Sequence, residues 1–224
     1  MHIMEGFLPP IWCIFWYIVS IPFVVYGIIK IKQITDEIPD TKSLLAVSGA
    51  YMFVISSVHV PSIGGTCSHI TGNGLNASLF GPFVTCVLGT IVLLFQLFLL
   101  GYGGITTLGA EIFAYGIIGP FSAWLIYKLI IKANLSSLIG IFTATVFANL
   151  FTYIIIAMEL ALAFPNPTFI SAFIKFLLIF AVVQIPLAFV EGIITVFIWA
   201  SLKKYKSKLL RKLNLFGENE VKNI

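Results

Sequence analysis

A chain of 224 residues that is 59% hydrophobic and 10% charged, with a mean hydropathy of +1.06, is an integral membrane protein, because soluble domains carry about a quarter charged residues. The length allows six or seven spans of about twenty residues and leaves no room for a separate soluble domain. The net charge of +4 comes largely from Lys203, Lys204, Lys206, Lys208, Arg211 and Lys212, which read as a cytoplasmic juxtamembrane anchor and not as a nucleic-acid surface.

The first apolar run covers 7–31 and holds Lys30 and Lys32 near its end. It has no basic n-region before it and no small-residue cleavage site after it, so it is not read as a cleavable signal. A short loop with Asp36, Glu37, Asp40 and Lys42 leads to a second run over 44–60, closed by Pro61. Residues 62–76 are rich in Gly, Ser, Thr and Asn, with turn signals at Gly64-Gly65 and Gly72-Asn73-Gly74. Apolar sequence resumes over 79–100, breaks at 101–104, and continues over 106–131 with Gly119-Pro120 as an interruption. Runs over 136–164 and 169–200 follow, separated by Pro165-Asn166-Pro167, and the last contains Pro186.

Charge decides the count. Basic residues mark the cytoplasmic ends of spans, so the tail, Lys30 with Lys32, and Lys128 with Lys132 all belong inside. That placement requires an odd number of crossings between 79 and 131, and splitting this stretch at 101–104 and at Gly119-Pro120 satisfies it. The expected fold is an all-α polytopic protein of about seven transmembrane helices, N-terminus outside and C-terminus cytoplasmic. It forms one transmembrane domain, 1–202, followed by a basic cytoplasmic tail, 203–224. The 62–76 loop then lies on the outer face with the N-terminus.

The N-terminal pair Met1-His2 is the chief candidate site. A free amine, the His2 backbone nitrogen and the His2 imidazole can close fused five- and six-membered chelate rings on one divalent metal ion, a donor set that suits late first-row metals. His69, in the glycine-flanked outer loop, is the natural fourth donor. Irregular backbone at membrane depth must be buried in protein or line a cavity, so the loop is expected to fold inward. Glu5 is a candidate for orienting an imidazole from the second shell. Cys67, two residues from His69, could be a soft ligand, and His59, the third histidine, reads first as an interfacial polar residue and second as a ligand. The three cysteines Cys13, Cys67 and Cys86 give no disulfide framework. Glu111, Glu159, Glu191 and Lys175 fall in apolar runs, where ionisable groups are costly and rarely idle. Glu159 and Lys175 sit close enough to the Pro165–Pro167 turn to be interfacial.

The chain resembles the CbiM family, the substrate-binding (S) components of cobalt energy-coupling factor (ECF) importers. The resemblance rests on Met1-His2-Ile3-Met4-Glu5-Gly6-Phe7-Leu8-Pro9, on Gly65-Thr66-Cys67-Ser68-His69 and on Thr71-Gly72-Asn73-Gly74-Leu75. Leu79-Phe80-Gly81-Pro82, Gly104-Ile105-Thr106-Thr107-Leu108-Gly109-Ala110 and Gln184-Ile185-Pro186-Leu187-Ala188 extend it along the chain. It implies a non-enzymatic membrane subunit in the cell membrane that captures Co²⁺ as transported substrate for cobalamin biosynthesis, with no organic cofactor. The implied partners are a transmembrane coupling (T) subunit, two ATPase subunits and a small auxiliary membrane protein. Carried over by motif, the metal ligands are Met1, His2 and His69. Nickel is the alternative ion, and Met4-Glu5 favours cobalt. A phosphate-loop motif is missing, since Gly101-Tyr102-Gly103-Gly104 lacks the Lys-Ser/Thr ending. The rival class is a self-sufficient proton-coupled metal transporter using Glu111 and Glu191, and a third is a membrane assembly factor without a transported ligand.

Overall fold

The computed structural model describes residues 2–62, 66–213, 215 and 216. The architecture is a helical bundle with one small hairpin at one end. Helix α1 (Pro10–Glu37) starts with Pro10 in its first turn, where a missing N–H costs nothing, and α2 (Thr41–Ser56) returns beside it. The strands β1 (His59–Ser62) and β2 (Thr66–His69) pair antiparallel. Helix α3 (Asn73–Phe80) has every residue buried, and α4 (Pro82–Phe95) ends in a π-helical turn, Gln96–Leu100. Helix α5 (Leu108–Glu111) runs through a π-helical segment, Ile112–Ile118, into α6 (Gly119–Lys132). Two long helices follow: α7 (Ser137–Ala163), capped by the Ser136 hydroxyl on the Leu138 N–H, and α8 (Phe169–Tyr205), capped by Thr168. The short α9 (Ser207–Lys212) folds back, burying Leu209 and Leu210.

Three differences from the sequence reading have physical causes. The expected all-α fold includes a β-hairpin, because the second helix stops at Ser56 and residues 59–62 pair with 66–69 instead of staying irregular. No break occurs at Gly119-Pro120: Leu108–Lys132 forms one continuous apolar stretch. Pro120 falls just after a wide π-helical segment, in the first turn of the α-helix that follows, where its missing N–H is tolerated. Glu159, expected near an interface, is fully buried in α7. Lys175, by contrast, is exposed.

Among the described residues five helices are long and apolar enough to cross a membrane: Pro10–Glu37, Pro82–Leu100, Leu108–Lys132, Ser137–Ala163 and Phe169–Tyr205. Helix α2 is shorter, at 16 residues, and α3 has 8. An eight-residue helix advances only about 12 Å. Yet α3 starts close to the His69 loop and finishes at Gly81, beside Lys30, Gln33 and Glu37 at the far end of α1. Segment 70–72, half-buried at Ile70 and buried at Thr71 and Gly72, joins the hairpin to α3. Close packing makes room for α3: a Cβ on Gly74 would lie 2.2 Å from Thr145 Oγ1 of α7, so only glycine fits there. At the Lys30 end, Lys128, Lys132, Leu213 and Leu215 line a common cavity of about 580 Å³. Tyr127 donates to the Leu215 carbonyl at 2.7 Å, which ties the tail to α6. The Lys212–Asp40 pair at 3.6 Å is exposed on both sides and adds little stability.

Candidate metal centre

At the end of the bundle opposite Lys30, His2 lies against the hairpin, its Nδ1 3.2 Å from Cys67 Sγ. His2 and Ile3 are buried although they precede the first helix. Two contacts hold Ile3: its N–H donates to Glu111 Oε1 at 2.8 Å, and its carbonyl accepts from Thr107 Oγ1 at 2.8 Å. The 101–107 loop passes alongside. Gly103 has φ +77°, and a Cβ there would lie 2.8 Å from Glu111 Oε1 and 3.2 Å from His2 Cδ2, so this position needs glycine twice over.

The His2 tautomer follows from its neighbours. Gln96 donates through Nε2 to the Ser56 carbonyl at 3.1 Å, and a carbonyl can only accept. That fixes the amide orientation and turns Gln96 Oε1 toward His2 Nε2, 3.0 Å away. Nε2 therefore carries the proton, and Nδ1 keeps its lone pair. Nδ1 is the nitrogen that an amino-terminal chelate needs, and the Cys67 thiol lies 3.2 Å from it. Burial holds the His2 imidazole well below its ordinary value. The neutral ring is thus favoured above the ordinary value near 6.5 and lost only as pH falls through the depressed one. In a ring-proton NMR titration, His2 is expected to remain uncharged at about pH 6.5, where an ordinary histidine is half protonated. A half-protonated ring at that pH would contradict this environment.

His69 is prepared in a matching way. Its Nδ1 lies 2.7 Å from the Ile70 carbonyl, so Nδ1 is the donor and the lone pair sits on Nε2. That Nε2 is buried with no hydrogen-bond partner among the described residues. The rings of His2 and His69 are 5.0 Å apart. The backbone around His69 is fastened from three sides. Tyr153 OH accepts the His69 N–H at 2.9 Å, Gln184 Nε2 donates to the His69 carbonyl at 3.2 Å, and Tyr115 OH donates to the Thr71 carbonyl at 2.8 Å.

Below it, Glu191 of α8 receives four donors: Thr71 N–H at 3.0 Å, Thr71 Oγ1 at 2.8 Å, Gly72 N–H at 2.7 Å and Asn149 Nδ2 at 2.6 Å. The carboxylate's hydrogen-bonding capacity is largely taken up by holding this loop. Glu111 likewise holds the N-terminal segment. Glu159 is different: both its oxygens are buried without a hydrogen-bond partner among the described residues.

Of the residues singled out from sequence, His2, His69, Cys67 and His59 meet in one cluster. Met1 lies outside the described residues, as do Gly64 and Gly65. Glu5 sits apart from the imidazoles; it is exposed and accepts from the Thr106 N–H at 3.1 Å. Orienting His2 falls instead to Gln96, which the sequence reading missed. A lone amide in the apolar run before Gly101 was the available signal, since polar groups at membrane depth are rarely idle. Replacing Gln96 by Leu is expected to cost about 10- to 100-fold in affinity for a late first-row divalent ion held at His2. Gln96→Glu still accepts from Nε2 but turns its second oxygen toward the Ser56 carbonyl, so it should lose less than Gln96→Leu, and a larger loss than Gln96→Leu would contradict the tautomer argument.

A multi-helix membrane protein with imidazoles gathered at one end has the build of a transition-metal transporter. The fold agrees with that class: the crystal structure of a truncated transition metal transporter superposes with a TM-score of 0.79 at 26% identity, covering 92% of this chain and 99% of that one. More specifically, the family model CbiM, described as cobalt uptake substrate-specific transmembrane region, matches residues 2–209, and the chain belongs to this family. A relative from Methanocaldococcus jannaschii is 53% identical over 222 residues, 99% of this chain and 95% of its own. The cobalt transport protein CbiM of Nostoc sp. is 50% identical, over 98% of this chain and 85% of its own.

Proposed function

We propose that this chain is the substrate-capturing component of an ATP-driven ECF-type cobalt(II) importer. Co²⁺ is taken from outside by the Met1 amine, the His2 backbone and Nδ1 nitrogens, and His69 Nε2. One observation supports this reading most: the two imidazoles face one cluster with opposite nitrogens left as lone pairs, His2 Nδ1 by Gln96 and His69 Nε2 by the Ile70 carbonyl. Loss of the His2 amide proton on binding makes affinity fall as pH falls. In the same reading the bundle makes seven crossings with the N-terminus outside, the third made by segment 70–72 together with α3. The run of α3 from the His69 loop to the Lys30 end supports that path.

Energy comes from partners: a transmembrane coupling subunit, two ATPase subunits and a small auxiliary membrane protein, with the imported ion feeding cobalamin synthesis. The proton-coupled rival draws on Glu111 and Glu191, and both carboxylates are already engaged by backbone donors. In proteoliposomes the purified chain is expected to bind Co²⁺ but to accumulate it only with the partner subunits and ATP. Accumulation by the chain alone under a proton gradient would favour the rival.

A further inference from the structure

The proposed site draws on one strand of the hairpin, while the other strand brings a further imidazole to the same place. His59 of β1 stands directly opposite His69 of β2 in the antiparallel register. Residues so paired carry their side chains on one face, with Cβ atoms about 4.5–5.5 Å apart. Cys67, two residues before His69, shares that face by strand alternation, and its Sγ lies 3.2 Å from His2 Nδ1. The hairpin face therefore turns His59, Cys67 and His69 together toward His2.

The ring spacing is that of one ion. Centroid separations are 5.0 Å for His2–His69, 5.9 Å for His2–His59 and 5.9 Å for His59–His69. A triangle of those sides has a point about 3.3 Å from all three centroids, and a metal–imidazole bond of about 2.0 Å puts a bound ring's centroid about 3.2 Å from the metal. As the side chains stand, no three His, Cys, Asp or Glu among the described residues form a finished metal cage. Among the described residues both His59 nitrogens and His69 Nε2 have no hydrogen-bond partner, so the His59 ring is the one that turns to complete it, while the Gln96 and Ile70 hydrogen bonds hold the His2 and His69 rings. Buried polar atoms without partners are otherwise unfavourable, and a ligand role accounts for these three.

We propose that His59 is a third imidazole ligand of the transported ion and that it biases the site toward cobalt(II) over nickel(II). The proposal rests on the reading that His2 and His69 hold that ion. A square plane of four nitrogens suits Ni²⁺ and Cu²⁺, and the general affinity order also places Ni²⁺ above Co²⁺. Such a site alone selects the wrong metal for cobalt uptake. A fifth nitrogen takes the ion out of the square plane and removes the advantage that nickel gains there.

The test uses the full-length purified chain loaded with CoCl₂ or NiCl₂. X-ray absorption on the cobalt-loaded protein is expected to count three imidazoles. His59→Gln is expected to lower Co²⁺ affinity at least about tenfold while Ni²⁺ affinity changes much less. Two imidazoles in the unsubstituted protein, or an unchanged cobalt-to-nickel ratio in a folded His59→Gln chain, would overturn the proposal. The imidazole count needs no variant, so it decides the matter even if His59→Gln fails to fold. Failure of the underlying site is distinguishable: it would appear as Co²⁺ binding that ignores acetylation of the terminal amine. Binding lost on acetylation, together with a count of two, would sink the His59 proposal alone.

Discussion

His69→Ala is expected to lower Co²⁺ affinity by more than about 100-fold, since loss of a partner that merely orients a ligand already costs about 10- to 100-fold. The variant should still fold. The hydrogen bonds that place this residue use its backbone N–H and carbonyl, held by Tyr153 and Gln184, and alanine keeps both. The side chain itself makes one hydrogen bond, to the carbonyl of the next residue. Competition with a chromogenic chelator gives the affinity, and a thermal melt checks the fold. An affinity within a few-fold of the parent chain would remove His69 from the site.

The second large effect is on folding. Glu191→Ala leaves the Thr71 and Gly72 N–H groups, the Thr71 hydroxyl and the Asn149 amide facing a buried void. Each stranded buried donor costs about 1–3 kcal/mol, and removing one side of a buried charged network costs about 3–5 kcal/mol. A marginally stable protein does not absorb such a loss easily. The expected result is a large drop in melting temperature and poor recovery from the membrane. Glu191→Gln keeps the shape and one acceptor oxygen but turns an NH₂ toward a donor, so it should fall between the parent chain and the alanine variant. If both variants melt like the parent chain, Glu191 is not the anchor of the loop.

Much of the bundle was legible because apolar runs, prolines and basic residues report directly on membrane depth. The long helices begin and end within a few residues of the runs read from sequence, as with Ser137–Ala163 against 136–164. Gly119-Pro120 misled because a proline just past a wide π segment sits in a first helical turn, where its missing N–H does no harm, and no local pattern announces a π segment. The hairpin was hidden for a related reason. Residues 59–62 and 66–69 are short, polar and unlike alternating strands, and their pairing becomes favourable only when the bundle covers one face. His2 and His69, whose rings the fold brings to 5.0 Å, could be singled out as candidates from residue chemistry, since few side chains chelate late transition metals. Gln96, Tyr153, Gln184 and Glu191 could not, because their roles depend on which backbone atoms tertiary packing brings to them. His59 stood between these cases: visible as a histidine, but given meaning only by its register opposite His69.

The central claim is that the amino terminus itself holds the transported ion. Acetylating the terminal amine removes that donor while leaving the His2 and His69 side chains in the chain. The measurement is Co²⁺ affinity of the acetylated chain against the parent, by chelator competition on folded, full-length protein. The expected result is a loss of more than about 100-fold, beyond what a supporting contact alone could cost. Unchanged affinity would contradict the account and leave the imidazoles to bind the ion without the terminus.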